Sequence, residues 1–244
     1  MKHELTMRMV EKPILSLTEA ISLGLLGLPD LVMAGYGFIG SQDYAQTQFV
    51  EEYSGEGKVK FFVLEGEKPI ASLVVKTDFP EICGKKTYNM SGIVVSPKCQ
   101  KRGLGKWMLV EAMRRLPPCE VVVGNTKTPM AVLARSSAMG ELGFRTFYSA
   151  YEVTPNSEHQ ITTDHAQYLL GYLDIKKKDN VAAGYLYPVS RDILPTYVPE
   201  VEGLPDYIQK AFDPIIRMQQ EVGDRETIVS PLISIKGLSG GFYG

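Results

Sequence analysis

The segment from Val94 to Lys106 constrains the fold and the chemistry of this chain more than any other part of it. Its residues read Val-Val-Ser-Pro-Lys-Cys-Gln-Lys-Arg-Gly-Leu-Gly-Lys, which predicts a strand, a glycine-containing loop and then an amphipathic helix. Such a junction directs several backbone N–H groups to one point at the positive end of a helix dipole, where a diphosphate can bind. Gly103 and Gly105 let the backbone approach the ligand because they carry no Cβ. Three cations surround this point: Lys101, Arg102 and Lys106.

Spacing excludes two other phosphate-binding loops. A P-loop needs a glycine five residues before its Gly-Lys pair and a serine or threonine after it, but Gln100 and Trp107 occupy these positions. A dinucleotide-binding loop that began at Gly103 would need a third glycine where Met108 stands. What remains is a Gln-x-x-Gly-x-Gly loop between a strand and a helix, or an ordinary glycine-rich turn with exposed cations.

This segment resembles motif A of the GNAT N-acetyltransferase superfamily, Val-x-Pro-x-x-Gln/Arg-x-x-Gly-x-Gly/Ala. Every defining position is met: Val95, Pro97, Gln100, Gly103 and Gly105. The resemblance covers about residues 5–153, and it implies that the loop holds the pyrophosphate of acetyl-CoA. It also implies that the preceding strand contacts the thioester and the pantetheine arm through its backbone. The cofactor-binding residues predicted in this way are Ile93, Val94, Val95, Gln100, Lys101, Arg102, Gly103, Leu104, Gly105 and Lys106.

The catalytic acid and base are not where the resemblance would place them. Asn89 stands where some members of the family carry a glutamate, and its amide can hold a water but cannot accept a proton at useful pH. Met139 stands where many members carry a tyrosine that protonates the CoA thiolate, and Val132 replaces an asparagine. The substitutes considered are Asn89 and Tyr148, then Tyr88 as acid, and Asn125 and Ser91 as polar groups near strand ends.

The order of elements predicts a mixed α/β fold, and the resemblance implies that it is the fold of the GNAT acyl-CoA N-acyltransferases. Alternation, capping residues and breakers predict the elements in chain order. They are a strand over 5–10, a helix from 16 to about 26, a helix over 42–53, a hairpin of 58–64 and 69–77, a strand over 88–95, a helix over 104–116, a strand over 119–123, a helix over 129–142 and a strand over 144–153.

We predict two regions, an acetyl-CoA-binding domain over residues 1–153 and a C-terminal extension over 154–244. In the extension the pattern predicts a helix over 164–173, a strand over 181–189 and a helix over 204–222, which Pro214 kinks or splits. The extension carries more acidic than basic side chains, and the rest of the chain is mildly basic. We expect residues 154–244 to fold against the acceptor side or to form a contact in a homodimer.

Composition limits the partners and the compartment. The net charge of −2 argues against nucleic acid. Three cysteines without paired spacing favour reduced thiols in the cytoplasm, and the three histidines show no metal-ligand spacing. Pro29 and Asp30 interrupt the apolar stretch over 20–40, so neither a membrane span nor membrane association is expected.

The sequence therefore predicts an N-acetyltransferase that moves an acetyl group directly from acetyl-CoA to an amine on a small molecule or a protein. A non-catalytic acyl-CoA-binding or regulatory module is the main alternative, favoured by Asn89 and Met139. An enzyme that acetylates a nucleobase or a tRNA-linked amino group is a third possibility, which the charge balance disfavours.

Overall fold

The computed structural model describes residues 5–31, 53–126, 128–148, 151–153, 163–178, 187–190, 200–222 and 226–237. The strands in this part of the chain are β1 (Leu5–Val10), β2 (Lys58–Glu65), β3 (Lys68–Lys76), β4 (Thr87–Val95), β5 (Val121–Thr126), β6 (Phe144–Tyr148), β7 (Tyr151–Glu152), β8 (Tyr187–Ser190) and β9 (Glu226–Lys236). The α-helices are α1 (Leu17–Ser22), α2 (Leu104–Arg115), α3 (Pro129–Glu141), α4 (Thr163–Lys178) and α5 (Asp206–Val222). The helix predicted over 42–53 lies outside the described residues, apart from its last residue.

The chain divides into two compact units. The N-terminal unit comprises Met1–Phe79 and Tyr88–Pro117, and the C-terminal unit comprises Pro80–Thr87 and Pro118–Gly244. The boundary predicted between residues 153 and 154 therefore runs through the C-terminal unit.

Four antiparallel strands form the sheet of the N-terminal unit, in the order β1, β2, β3, β4. The predicted hairpin is confirmed, and its turn contains Gly66 at φ 63°. Alternate residues of β2 and β3 face each side of the sheet, so that Phe62 and Val74 pack in a core with Leu25 and Leu28 from the segment after α1. This core supports the strand that leads into the glycine-containing loop.

Helix α1 begins as the sequence predicts and ends earlier. The Ser16 hydroxyl accepts a hydrogen bond from the Glu19 N–H at 3.1 Å, and the Glu19 carboxylate accepts one from the Leu15 N–H at 2.9 Å. These bonds satisfy N–H groups that the first turn leaves without helical partners. The helix ends at Ser22 rather than near Leu26, because the backbone turns left-handed at Gly24, with φ 68°.

In the C-terminal unit, β9 is the central strand. It pairs antiparallel with β5 on one side and with β6 on the other, and β7 pairs with β6. Its N-terminal end also pairs with β8. A strand from the predicted C-terminal extension thus joins β5 to β6.

Pro231 explains why β9 is hard to recognise in the sequence, since proline in a strand interior normally removes a ladder hydrogen bond. The Lys236 N–H donates to the Glu120 carbonyl at 2.8 Å, so every second residue of β9 faces β5. The nitrogen of Pro231 therefore faces the other edge, where pairing with β6 stops at Leu232. The proline thus stands where the β6 ladder has already ended.

The remaining elements after β5 differ in detail from their predicted extents. The strand predicted over 144–153 is wrong in form, because the chain reverses and β6 pairs with β7 through Phe147 and Glu152. Helix α4 is confirmed and continues to Lys178, and α5 is a continuous helix that contains Pro214. The strand predicted over 181–189 corresponds to β8, although residues 179–186 lie outside the described part.

The core of the C-terminal unit forms where α3 and α5 meet the sheet. The Tyr148 and Phe212 rings stack with their centroids 4.6 Å apart, among Val132, Ile208 and Leu232. The apolar residues of α5 recur at helical spacing, as an amphipathic helix requires. Burial of this stripe holds the segment after residue 200 to the sheet.

His165 makes the stability of this unit sensitive to acid. Its ring is fully buried and stacks on Phe147 at 4.1 Å, near the ion pair of Arg145 with Glu152. Burial lowers the pKa of His165 to about 4, although Glu152 acts in the opposite direction. Between pH 6.5 and about pH 4, His165 is therefore protonated in the unfolded chain but neutral in the folded chain. Protonation stabilises the unfolded chain, so the free energy of unfolding decreases as the pH falls through this range.

We predict that His165→Phe removes this component and keeps the ring stack. Between pH 6.5 and pH 4 the native protein should lose up to about 3 kcal/mol more stability than the variant, since each pKa unit corresponds to about 1.4 kcal/mol. Urea unfolding at several pH values measures this difference. Equal pH slopes in the two proteins would contradict the prediction, whatever their absolute stabilities.

Candidate functional site

The loop predicted to bind phosphate is anchored to the sheet of the N-terminal unit at its first residue. The Ser96 N–H donates to the Ile70 carbonyl of β3 at 2.8 Å, which extends the ladder by one pair. Residues Pro97–Cys99 then form one turn of 3-10 helix, closed by a hydrogen bond from the Cys99 N–H to the Ser96 carbonyl at 2.8 Å. The chain therefore leaves β4 along a defined path.

Two residues with left-handed backbone conformation follow this turn. Lys101 has φ 61° and Gly103 has φ 75°. Glycine adopts this conformation freely, whereas lysine does so at a cost, which is typical of loops constrained for function. Alternation between left- and right-handed residues turns successive N–H groups toward one side and creates an anion-binding concavity.

Helix α2 begins directly at this concavity, with Gly103 as its N-cap residue. Its first helical hydrogen bond runs from the Trp107 N–H to the Gly103 carbonyl at 3.0 Å. The N–H groups of Leu104 and Gly105 precede that bond, so they have no acceptor within the helix. With the exposed side chains of Lys101 and Arg102, they form a positive site that suits a diphosphate.

The Gln100 side chain contacts the end of β4, and its predicted part in cofactor binding stays a prediction. Its side-chain amide donates to the Val95 carbonyl at 3.0 Å and thereby connects the loop to the end of β4. In this conformation the side chain braces the loop. Gln100 therefore supports the loop through its side chain, and the N–H groups of residues 103–105 lie at the start of α2.

The strand before the loop contains a β-bulge that the sequence did not predict. Val74 of β3 pairs with Gly92 and Val75 with Met90, which leaves Ser91 as an extra residue on β4. The bulge bends the strand and reverses which side chains face each surface. Bulges of this kind often occur next to active sites.

Beyond the bulge, Ile93, Val94 and Val95, which were predicted to contact the thioester, differ in the edge of β4 that their backbone groups face. Because the Ser96 N–H bonds to Ile70, the backbone groups of Val94 also face β3, where Val94 pairs with Ser72. The backbone groups of Ile93 and Val95 face the opposite edge of β4. The Val94 side chain is buried in the core, whereas those of Ile93 and Val95 are half-buried.

Among the predicted catalytic residues, Asn89 lies in the N-terminal unit with the binding loop. It is on β4, paired with Lys76 and two residues before the bulge, and its side chain is largely buried. Its amide can orient a water molecule but does not act as a base. The sequence-based assignment of Asn89 therefore stays a prediction.

Tyr148 belongs to the C-terminal unit, where the structure gives it a packing role. It is fully buried, its ring stacks on Phe212 and its hydroxyl donates to the Thr126 carbonyl at 2.9 Å. Tyr88 is similar, because it is buried and its hydroxyl donates to the Pro117 carbonyl at 2.9 Å. A proton donor must reach the leaving thiolate. Both hydroxyls have backbone partners, and the assignment of either tyrosine as the acid stays a prediction.

Two polar side chains of the C-terminal unit, Tyr172 and Arg135, make contacts that the sequence did not predict. The hydroxyl of Tyr172, from α4, donates to the Asn125 side-chain oxygen at the end of β5 at 3.0 Å. Arg135 is buried, donates to the Val122 carbonyl at 2.6 Å and has its pKa lowered to about 9 by burial. The sequence carries no signal for either contact, since Tyr172 and Asn125 are distant along the chain and Arg135 resembles a surface helix residue.

Cys119 is unsuited to act as a nucleophile. Burial raises the pKa of its thiol to about 11, against the opposing effect of Lys236 and Lys86. The thiolate is the reactive form, so the fraction available near neutral pH is very small. Within the described residues, no cluster of His, Cys, Asp and Glu could hold a metal ion.

Comparison with known proteins agrees with the geometry of the loop. Residues 30–126 match the model of the acetyltransferase (GNAT) family. The match contains the bulged strand, the loop and α2. The GNAT resemblance and the mixed sheet-and-helix fold predicted from the sequence are thereby confirmed.

Several solved structures are similar to this chain at low identity. An acetyltransferase from Thermus thermophilus is 17% identical over 59% of this chain and 90% of its own, with a TM-score of 0.43. The ribosomal-protein-S18-alanine N-acetyltransferase from Escherichia coli is 11% identical over 99% of this chain and 100% of its own, with a TM-score of 0.42. Among curated protein sequences, none matches this chain. The described part of the chain holds no helix that is both long enough and apolar enough to cross a membrane.

The left-handed conformation of Gly103 leads to a stability prediction. A Cβ at this position would meet no atom within 4 Å, so Gly103→Ala should cost only backbone strain, about 1 kcal/mol. Gly140, exposed in α3, also has open space around it but no positive φ. Gly140→Ala should therefore raise stability by about 1 kcal/mol, because alanine favours the helix. Urea unfolding of both variants checks these opposite signs, and a Gly103→Ala protein as stable as the native one would refute the assigned conformation.

Proposed function

We propose that this protein transfers an acetyl group from acetyl-CoA to the amino group of an acceptor, with both substrates bound at once. The observation that carries the proposal is the junction of β4 with α2. Left-handed residues, N–H groups without helical acceptors and exposed cations meet there, in the segment that matches the GNAT family model. Such a junction suits the diphosphate of CoA.

The residues of the N-terminal unit have distinct roles in this proposal. The N–H groups of Gly103, Leu104 and Gly105 bind the pyrophosphate, and Lys101, Arg102 and Lys106 balance its charge. Gln100 holds the loop against β4 through the Val95 carbonyl. The backbone groups of Ile93 and Val95 run along the pantetheine arm and polarise the thioester oxygen, since they face the edge of β4 opposite β3.

Proton transfer requires no dedicated side chain in this mechanism. Asn89 orients a water molecule that takes the proton from the acceptor ammonium, and the departing thiolate is protonated by solvent. Placement of two reactants side by side can supply much of the rate enhancement without acid–base catalysis. The contacts of Tyr88 and Tyr148 support this simpler scheme, because both hydroxyls already donate to backbone carbonyls.

Gly105→Glu tests the binding site without weakening the helix. A carboxylate in the first turn of α2 is favourable for the helix dipole but repels a pyrophosphate at the same N–H groups. We expect calorimetric titration with acetyl-CoA, and then with free CoA, to show one-to-one binding by the native protein and at least tenfold weaker binding by the variant.

Gly105→Ala is the matched control, because it adds a Cβ without charge and should bind at least tenfold more tightly than the glutamate variant. Thermal unfolding should show both variants folded. Unchanged affinity in Gly105→Glu would remove the phosphate-loop assignment, and the absence of any binding by the native protein would remove the proposed function.

A non-catalytic acyl-CoA-binding module is the second candidate, and it also rests on specific observations. The position expected to hold a tyrosine acid is Met139, which is fully buried, and Asn89 cannot act as a base. Single-turnover mixing of the acetyl-CoA complex with small amines and with peptides that have free N-termini separates the two candidates. Release of free CoA together with acetylated product supports the enzyme. Saturable binding without release above the rate in buffer supports the module.

For the acceptor, the cellular location and the oligomeric state, we propose only the general class. We propose an amine of a small molecule or a protein as the acceptor rather than nucleic acid, because the net charge of −2 offers no strongly basic surface. We also propose a cytoplasmic location, consistent with three cysteines that form no disulfide. A homodimer is tested directly by light scattering at several protein concentrations.

A further inference from the structure

Trp107 is an exposed aromatic residue next to the proposed phosphate site. It is the only tryptophan of the chain, and 39% of its surface is exposed although it lies on a well-packed helix. Its N–H makes the first helical hydrogen bond to Gly103, so it stands one turn after the N-cap. In the described part of the chain, no aromatic stacking or cation–π contact involves its ring.

The geometry of a helix directs this ring toward the loop. Helical side chains lean toward the N-terminus, so a residue covers the surface of the turn that precedes it. In that turn Gly103 and Gly105 have no side chains, Leu104 is buried and Lys106 is half-buried. We therefore expect the exposed part of the indole to lie beside the N–H groups that would bind a pyrophosphate, since one helical turn rises only about 5.4 Å.

The charges around Trp107 complement a nucleotide that carries several phosphates. Between Val94 and Val110 the chain has four cations, Lys98, Lys101, Arg102 and Lys106, and no carboxylate. A base stacks on an exposed aromatic side chain, and nearby cations neutralise the phosphates on its sugar. An indole at a cationic loop is thus suited to the purine half of a ligand whose pyrophosphate lies on the helix N-terminus.

We infer that Trp107 is the stacking platform for the adenine ring of CoA and selects CoA over phosphopantetheine without a nucleotide. This inference depends on the proposed function, because it assumes that the loop binds the CoA pyrophosphate. It adds a specificity-determining contact outside the Gln-x-x-Gly-x-Gly motif. The amine acceptor and the transfer step do not enter the argument.

Intrinsic fluorescence reports this contact directly, since Trp107 is the only tryptophan. We expect CoA and adenosine 3′,5′-bisphosphate to quench the emission saturably, and 4′-phosphopantetheine to leave it unchanged. In calorimetry, Trp107→Leu should bind CoA about tenfold more weakly, which corresponds to about 1.4 kcal/mol of stacking energy. The same variant should bind 4′-phosphopantetheine as the native protein does.

Two further variants keep the test independent of folding. Trp107→Phe preserves an aromatic surface and should retain most of the affinity for CoA. Leu26→Ala removes an apolar side chain of the same unit that is 68% exposed, and it should not change CoA binding. Thermal unfolding confirms that each variant is folded before its affinity is compared.

The possible failures are distinguishable. If calorimetry shows CoA binding but the tryptophan emission does not change and Trp107→Leu binds equally well, the platform is overturned and the proposed function stands. Equal quenching by 4′-phosphopantetheine also overturns the platform, because that molecule has no adenine. If the native protein binds no CoA, the proposed function fails and this inference fails with it.

Discussion

The N–H of Ser96 donates to the Ile70 carbonyl, and the candidate binding site depends on this bond. This bond extends the backbone pairing of β3 and β4 by one residue, to Ser96. The 3-10 turn that follows therefore starts from a residue held against the sheet. The left-handed residues Lys101 and Gly103 then direct the chain into α2 with its first N–H groups facing outward. The Gln100 side chain donates a hydrogen bond to the Val95 carbonyl and so connects the loop to the end of β4. A backbone site of this kind needs few particular side chains, but it needs each dihedral angle in place.

The C-terminal unit depends on a different constraint, the burial of β9 between β5 and β6. Because β9 lies between these two strands, a strand from the end of the described chain connects them. Helices α3 and α5 then cover one face through Val132, Phe212 and Ile215. Residues 226–236 are therefore part of the sheet that holds Tyr148 and Asn125. Removal of residues 226–237 would take away the middle of this unit.

The catalytic chemistry is supported less directly than cofactor binding. The backbone geometry of the loop is suited to binding an anion, and the loop lies within the residues that match the family model. In contrast, Tyr88 and Tyr148 are buried with their hydroxyls bonded to carbonyls, and Met139 fills a core position. A mechanism that relies on placement of the reactants and on solvent for protons fits these residues. The bulge at Ser91 adds a bend in β4 that the proposed thioester contact would use.

The sequence by itself determined the local features: the hairpin of β2 and β3, the Ser16 cap, and the loop with its two glycines before α2. These features depend on residues close together in the chain, where alternation, capping and the absence of a Cβ act directly. Only the tertiary structure decided that β9 lies between β5 and β6, because Pro231 weakens the strand pattern and is tolerated only where pairing with β6 has ended. It also decided the role of Tyr148, since burial and a partner 22 residues away cannot be read from local spacing. Long-range packing sets these outcomes.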